Sequence, residues 1–197
     1  MTVAAAVLAA GGGSRIAGDT PKPLLLLRGR PLVAWALDAA VASGLEPVLL
    51  VVGSSAEAVA AVAPAGVEIV GNDDWRRGIA HSLRVALLAL EPRVAVGAVC
   101  VGLADQPSVG AEAYRRLAAA CDGGARLAVA TYEGARGNPV LVGRPLWGEA
   151  VRLDGDVGAR ELMQRHPVVE VACDGTGTSA DVDTLDDLAA MEKEPWT

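Results

Sequence analysis

Hydrophobic and polar positions along this chain fall into segments that predict strands and helices in alternation. Continuous runs of valine, leucine and alanine are typical of strands whose sheet is buried on both faces. Such runs, bounded by glycine, proline or polar residues, predict strands at 3–9, 24–27, 47–52, 67–70, 96–103, 127–131, 140–142 and 168–172.

Apolar residues spaced three or four positions apart predict the helices between these strands. The first helix has Pro31 near its start and Gly44 as its stop, and each residue is typical of that end of a helix. The predicted helices are 31–43, 54–62, 78–90, 111–120, 146–151, 158–164 and 184–191.

The order of these segments predicts the fold class. Strand and helix alternate through residue 120, which indicates a mainly parallel sheet with helices on both faces, a doubly wound three-layer α/β/α fold. The strands predicted at 127–131 and 140–142 break the alternation, so we expect at least one late antiparallel strand. The 197 residues suit a single domain spanning 1–197.

Composition and charge exclude several classes of function. The net charge is −7 with no basic tract, which argues against a nucleic-acid partner. No uncharged apolar run reaches about 18 residues, so we expect no membrane span. The first apolar run lacks a charged leader, and the three cysteines show no metal spacing, so we expect reduced thiols in a cytoplasmic protein.

The segment 7–25 carries the first candidate binding chemistry. Gly11, Gly12 and Gly13 follow a predicted strand, and glycines can adopt a positive φ and bring N–H groups close to an anion. Arg15 and Lys22 add the positive charges that suit a polyphosphate. The P-loop pattern is absent, and the dinucleotide pattern G-x-G-x-x-G fails at its third glycine. A plain turn is the alternative interpretation.

Acidic residues provide the second candidate chemistry. Asp105 follows the strand predicted at 96–103, where it is well placed to bind Mg²⁺, an ion often held by one or two carboxylates and substrate phosphates. Its alternative role is to cap the next helix. A second acidic cluster lies at 181–187, and from the residues alone it could simply begin the final helix with acidic side chains in its first turn.

Motifs spread from Val7 to Leu188 resemble those of MobA-like and sugar-nucleotide pyrophosphorylase-type nucleotidyltransferases. LAAGGGSR (8–15) and PKPL (21–24) resemble LAAGxGxR…PKxL, LADQP (103–107) resembles LADxP, and DVDTLDDL (181–188) resembles DVDTPEDL. NDDWRRGIAHSL (72–83) resembles N…W..GxxxSL. GARGNPV (134–140) and GDVGAR (155–160) resemble RGHPV and GDxGAR of the molybdopterin cytidylyltransferase branch.

This resemblance implies a role for each matched residue. It implies catalytic roles for Lys22, Arg15 and Asp105, and metal binding by Asp105 and Asp183, with Asp181 as the reserve for Asp183. The implied nucleotide-binding residues are Leu8, Ala10, Gly11, Gly12, Gly13, Ser14, Arg15, Lys22, Asn72, Gly78 and Ser82. The implied acceptor-binding residues are His81, Arg136, Asn138, Asp156 and Arg160. For His81 a capping role, and for Arg136 a place in an ordinary hairpin loop, remain alternatives.

The resemblance also implies a reaction. A nucleoside monophosphate would pass from a nucleoside triphosphate to a phosphorylated small-molecule acceptor, with Mg²⁺ as cofactor and pyrophosphate as the second product. The molybdenum cofactor cytidylyltransferase branch is the most similar, which implies CTP, molybdopterin and a molybdoenzyme or maturation partner. Ala10 favours CTP over GTP, because the guanylyl-transferring branch typically has glycine there.

Three alternatives remain open from the sequence. One is a transferase of the same fold with another acceptor, such as a sugar phosphate, phospholactate or methylerythritol phosphate. Another is an NADPH-dependent oxidoreductase of the nicotine-blue type, although the dinucleotide fingerprint is absent. The last is a non-catalytic nucleotide-binding module, which would not need Lys22, Asp105 and Asp183 together.

Overall fold

The computed structural model describes residues 1–12 and 20–193. Its strands are β1 (Thr2–Ala9), β2 (Leu26–Leu27), β3 (Arg30–Pro31), β4 (Val48–Val52), β5 (Val67–Gly71), β6 (Val96–Leu103), β7 (Leu127–Tyr132), β8 (Ala135–Gly143) and β9 (Val169–Ala172). Its helices are α1 (Leu32–Ala42), α2 (Ala56–Ala60), α3 (Ile79–Leu90), α4 (Ala111–Asp122), α5 (Trp147–Ala150), α6 (Arg160–Arg165) and α7 (Leu185–Lys193). No helix within these two ranges has the length and apolar character needed to cross a bilayer.

Seven of the strands form one sheet in the order β5-β4-β1-β6-β8-β7-β9. Neighbouring strands are parallel except around β8, which pairs antiparallel with both β6 and β7. The strands β2 and β3 form a separate antiparallel ladder. The predicted mainly parallel sheet with a late antiparallel strand is therefore confirmed.

The sheet is buried on both faces because its strands carry apolar side chains at successive positions. In β1, Ala5 and Val7 belong to a core shared with α1, α2 and α4, whereas Ala6 and Leu8 belong to a core shared with α3, α5 and α6. Side chains alternate across a strand, so one continuous apolar run serves both cores. The result is the three-layer α/β/α architecture that the sequence predicts.

The strand β8 begins earlier than the sequence predicts, at Ala135 instead of at position 140. Glu133 and Gly134 have φ angles of 51° and 78°, and a two-residue turn with two positive φ angles joins adjacent antiparallel strands. Arg136 therefore pairs with Thr131 in the β7–β8 ladder and does not lie in a hairpin loop.

The C-terminal helix α7 packs against the β2–β3 ladder through a small core that includes Leu27 and Met191. Pro31 pairs within this ladder, so α1 begins one residue later than predicted. The backbone N–H of Val182 donates to the carbonyl of Asp105 at 2.9 Å. This contact brings the segment before α7 to the carboxyl end of β6.

Candidate active site

Three charged residues from distant parts of the chain meet at the carboxyl end of β6. Asp105 follows β6, Lys22 begins a short 3-10 turn, and Asp183 lies just before α7. The Lys22 ammonium donates to Asp105 Oδ2 at 2.5 Å and to Asp183 Oδ1 at 2.9 Å. We call these three residues the lysine–aspartate cluster. Each residue stands just outside its regular element or at its start, so the elements fix the backbone while the side chains converge.

Lys22 is the most shielded member of this cluster. Its side chain is 13% exposed, compared with 26% for Asp105 and 52% for Asp183. Burial alone would lower the pKa of the Lys22 amine, but the hydrogen bonds and charges of Asp105 and Asp183 outweigh burial and raise that pKa above its ordinary value. Lys22 is therefore charged at neutral pH. An ammonium has three N–H donors, so one donor remains for a ligand.

A cleft of about 630 Å³ opens beside the cluster, and we call it the glycine cleft. The residues assigned to the nucleotide or the metal from the sequence that line it are Leu8, Ala10, Gly11, Gly12, Lys22, Gly78, Ser82, Asp105 and Asp183. The sequence therefore predicted a set of residues that the fold brings into one concave surface. Gly13, Ser14 and Arg15 lie outside the described residues.

A second cleft of about 600 Å³ adjoins the first, and we call it the arginine cleft. The residues assigned to the acceptor from the sequence that line it are Arg136, Asn138, Asp156 and Arg160. Arg136 pairs through its guanidinium with Glu170 at 2.7 Å. The backbone carbonyl of Asn138 accepts a hydrogen bond from Tyr132 Oη at 2.9 Å, which fixes the chain there.

The two clefts share a wall that includes Leu8, Leu103 and Asp156. Along the chain, Asp105 lines the glycine cleft and its neighbour Gln106 lines the arginine cleft. The residues before α7 repeat this division, because Asp183 lines the first cleft and Asp181 lines the second. The lysine–aspartate cluster therefore lies at the junction of the two clefts.

Asp181 and Gln106 form a polar corner on the arginine-cleft side of this junction. Gln106 Nε2 donates to Asp181 Oδ1 at 2.9 Å and to the carbonyl of Ser179 at 3.0 Å. Desolvation of the Asp181 carboxyl, followed by the negative charge of Asp105, raises the pKa of Asp181 above its usual value. Gln106 Oε1 is buried without a hydrogen-bond partner among the described residues, whereas buried acceptors are normally paired.

Asn72 and His81 form a hydrogen-bonded group with Ser82, which lines the glycine cleft. Asn72 is 1% exposed, donates to Ser82 Oγ at 3.0 Å and contacts His81 Nδ1 through its own Oδ1 at 2.6 Å. Of these three residues, only Ser82 is among the described residues that line either cleft. Asn72 therefore supports Ser82 through a hydrogen bond. His81, which lies on α3, contacts Asn72 and lines neither cleft as the described residues define it.

The glycines act through close approach as well as through backbone freedom. Neither Gly11 nor Gly12 has the positive φ that the sequence led us to expect. A Cβ on Gly12 would instead lie 2.8 Å from the ring of Trp75, so glycine is needed because the indole packs on the backbone. Gly78 has a φ of 94°, and a Cβ there would lie 2.5 Å from Asp156 Oδ1.

Several residues of the two clefts were not identified from the sequence as site residues. Gln106 lines the arginine cleft, and Trp75 and Arg76 line the glycine cleft. For Gln106 the signal was available, because it directly follows Asp105 at a strand end. Arg76 is followed by Arg77, and both lie in the short turn Trp75–Arg77. A turn of this length has no hydrophobic periodicity that would predict which arginine faces a cleft.

The donor set of the lysine–aspartate cluster fits a hard divalent cation. Asp105 and Asp183 contact the Lys22 ammonium through Oδ2 and Oδ1, so each carboxylate has a second oxygen that this contact does not use. Within residues 1–12 and 20–193, no group of three or more histidine, cysteine or acidic side chains is arranged to enclose a metal. Two carboxylates without a full protein cage suit Mg²⁺, which commonly completes its coordination with water and substrate phosphates.

Comparison with known proteins identifies relatives along most of the chain. Residues 5–171 match the family model described as the MobA-like NTP transferase domain. The nicotine blue oxidoreductase of Paenarthrobacter nicotinovorans is 32% identical over 197 residues, covering 94% of this chain and 94% of that protein. The bifunctional protein GlmU of Maricaulis maris (strain MCS10) is 31% identical over 93% of this chain, which spans only 40% of GlmU.

Solved structures resemble the whole fold. The crystal structure of Rv0371c from Mycobacterium tuberculosis H37Rv superposes with a TM-score of 0.86 at 36% identity, covering 98% of both chains. The structure of the same protein in complex with manganese gives a TM-score of 0.83 at 33% identity and covers 99% of this chain and 100% of that one. The three-layer fold thus recurs with the same extent in these proteins.

Proposed function

The chain belongs to the MobA-like NTP transferase domain family of nucleotidyltransferases, and from this premise we propose that it transfers a nucleoside monophosphate from a nucleoside triphosphate to a phosphorylated acceptor. One observation carries the proposal: two adjacent clefts share a wall, and the lysine–aspartate cluster lies where they meet. The glycine cleft would hold the triphosphate, and the arginine cleft would hold the acceptor.

The proposed reaction is an in-line displacement at phosphorus. An oxygen of the acceptor phosphate forms a bond to the α-phosphorus, the bond from that phosphorus to the oxygen bridging to the β-phosphate breaks, and pyrophosphate leaves with the bonding electrons. Side chains need form no covalent intermediate, so positioning and charge neutralisation supply the catalysis. Lys22 would donate its third N–H to the phosphate oxygens while Asp105 and Asp183 orient the ammonium.

Asp105 and Asp183 would hold the divalent metal. The manganese complex of Rv0371c supports a divalent ion in a protein of this fold, and we propose Mg²⁺ because its carboxylate and phosphate ligands are the groups available here. When bound, such an ion neutralises negative charge on the reacting phosphates. Gly12 lets Trp75 pack against the backbone at the edge of the glycine cleft, and Ser82 would offer a hydroxyl to the base.

We propose CTP as the preferred nucleotide, and we expect it to bind at least about tenfold more tightly than GTP, a typical discrimination for a small change in pocket volume. Ala10 lines the glycine cleft and is 2% exposed, and the proposal is that its methyl group leaves less room at that wall for a purine than glycine would. The measurement is a pair of binding titrations with Mg²⁺. Equal affinity for GTP would contradict the proposal, and an Ala10→Gly variant that gains no GTP affinity would exclude Ala10 as the cause.

We propose molybdopterin as the acceptor. We expect Arg136→Ala to weaken the binding of molybdopterin about tenfold or more, because a hydrogen bond to a charged group contributes about 1.5–3 kcal/mol. The affinity for CTP should stay within about twofold of that of the parent protein. Arg136 lines only the arginine cleft, where its guanidinium would exchange Glu170 for a phosphate. Titration of each ligand alone separates the two effects. Arg152→Ala, at an exposed position outside both clefts, serves as the matched control. Equal weakening of both ligands would place Arg136 in the triphosphate site.

A second candidate function is an oxidoreductase activity, because the nicotine blue oxidoreductase of Paenarthrobacter nicotinovorans matches nearly the full length of this chain. One experiment discriminates between the two functions: pyrophosphate release is measured with each of the four NTPs, with and without molybdopterin, and NADPH oxidation is measured in parallel. Acceptor-dependent pyrophosphate release supports transfer. NADPH oxidation without any pyrophosphate release supports the oxidoreductase.

A further inference from the structure

The charged groups lining the glycine cleft do not by themselves balance a polyphosphate. Lys22 is held by both carboxylates of the lysine–aspartate cluster, and Asp156 adds a third carboxylate. Among the described lining residues the only other charged group is Arg76, so acidic groups outnumber basic ones. A triphosphate would add further negative charge, so its binding would be favoured by a cation that the aspartates have not already neutralised, in addition to a divalent ion and to Arg15, which lies outside the described residues.

Arg76 is such a cation. Its guanidinium stacks on the ring of Trp75 at 4.3 Å from the centroid, and no carboxylate among the described residues forms an ion pair with it. The adjacent Arg77 is different, because it pairs with Asp154 at 3.1 Å and does not line the glycine cleft as the described residues define it. Two neighbouring arginines thus have different surroundings.

Trp75 holds Arg76 in a defined position. The indole lies against the backbone at Gly12, where a Cβ would come within 2.8 Å of the ring. The Cβ of Trp75 lies against Gly53, where an added Cβ would come within 2.7 Å of it. The stacked guanidinium keeps its N–H edge available for hydrogen bonds while its face contacts the ring. Arg76 is therefore held beside the start of the glycine segment by side-chain packing instead of by an ion pair.

We propose that Arg76 binds the phosphate chain of the nucleoside triphosphate, as a cation in addition to Lys22, the divalent ion and the Arg15 assigned from the sequence. This inference rests on the proposed nucleotidyl transfer and adds to it a residue at a position that the motif N…W..GxxxSL leaves unspecified. The stack on Trp75 places the exposed guanidinium beside the cleft without a carboxylate that the ligand would have to displace.

The test compares Arg76→Gln with Arg77→Gln, which remove the same charge from adjacent positions. CTP and inorganic tripolyphosphate, a probe without a base, are titrated with Mg²⁺ into each full-length variant by calorimetry. We expect Arg76→Gln to weaken both ligands by the same factor, about tenfold or more, which is typical of a lost charged hydrogen bond. We expect Arg77→Gln to stay within about twofold, since an exposed ion pair contributes little, and Arg76→Lys to recover part of the loss.

Each other outcome overturns the inference. Affinities of Arg76→Gln within twofold of the parent protein would show that Arg76 makes no ligand contact. Equal losses in both glutamine variants would indicate an effect of net charge alone, and a loss for CTP without one for tripolyphosphate would indicate a contact to the base. If the parent protein binds no nucleoside triphosphate, the proposed function is overturned together with the role of Arg76. In the other outcomes the parent protein binds CTP, so only the role of Arg76 is overturned.

Discussion

Asp105→Asn is expected to abolish metal-dependent pyrophosphate release, with a loss of about 10³-fold or more if the side chain holds the ion that neutralises the reacting phosphates. Asp105 follows β6 at the junction of the two clefts, and its carboxylate, like that of Asp183, contacts the Lys22 ammonium through one oxygen and has a second oxygen beside that contact. Asparagine keeps the shape but loses the charge that a hard cation requires. The measurement is the initial rate of pyrophosphate release over a range of Mg²⁺ concentrations.

The fold should survive this substitution. Lys22 keeps its hydrogen bond to Asp183, and the asparagine carbonyl can still accept from the ammonium. The backbone carbonyl of residue 105 holds Val182 whatever the side chain is. Asp186→Asn, an equal change at an exposed position in the first turn of α7, is the control and should retain activity. Near-parental activity of Asp105→Asn would exclude it as the metal ligand, and unfolding would favour a structural role.

Most of the fold was accessible from the sequence because both faces of the sheet are covered. Every side chain of the apolar run in β1 is suited to a core, so the strand must be covered on both faces. Because a helix follows each early strand and covers one face, the alternation of strands and helices predicts both the three layers and the parallel strand direction. The start of β8 was missed because Gly137 and Pro139 are poor strand formers, and pairing with β7 across the turn at Glu133 overrides that preference.

The site was accessible to a lesser degree. Asp105 and Lys22 are 83 positions apart, but the rule that ligands lie beyond the carboxyl ends of parallel strands accounts for Asp105, and the motif resemblance pointed to Lys22. Asp183 depended on the motif, since its contact requires α7 to pack on the β2–β3 ladder. The packing of Trp75 on Gly12 was not predictable, because no local pattern specifies a contact between residues so far apart.

His81 illustrates what a linear motif leaves open. The motif brings His81 next to Ser82, but adjacent residues on a helix point in different directions. In the structure Ser82 lines the glycine cleft, while His81 contacts Asn72 and lies 3.8 Å from Asp74. The helical geometry thus separates the two side chains, and the assignment of His81 to the acceptor remains a prediction from the sequence.

Lys22→Ala is expected to lower kcat by about 10²-fold or more, the typical cost of losing a preorganised contact to charge that develops in the transition state. The hydrogen bonds to Asp105 and Asp183 aim the ammonium at the junction of the clefts, and the raised pKa keeps it charged across the neutral range. Alanine removes this charge and leaves two carboxylates without their cation, so the site also becomes more repulsive to phosphate. Steady-state kinetics with saturating acceptor separate kcat from the KM for the triphosphate.

The chain contains one other lysine, which provides the matched control. Lys193 is exposed at the end of α7, so Lys193→Ala removes the same charge at a distance from both clefts and should leave kcat unchanged. A rise in the KM of Lys22→Ala without a fall in kcat would show that Lys22 binds ground state and transition state equally, and the proposed role would be wrong. A parallel fall for Lys193→Ala would attribute the effect to net charge. If kcat falls in Lys22→Ala but not in Lys193→Ala, and KM is unchanged, the Lys22 ammonium must act on the phosphate undergoing transfer.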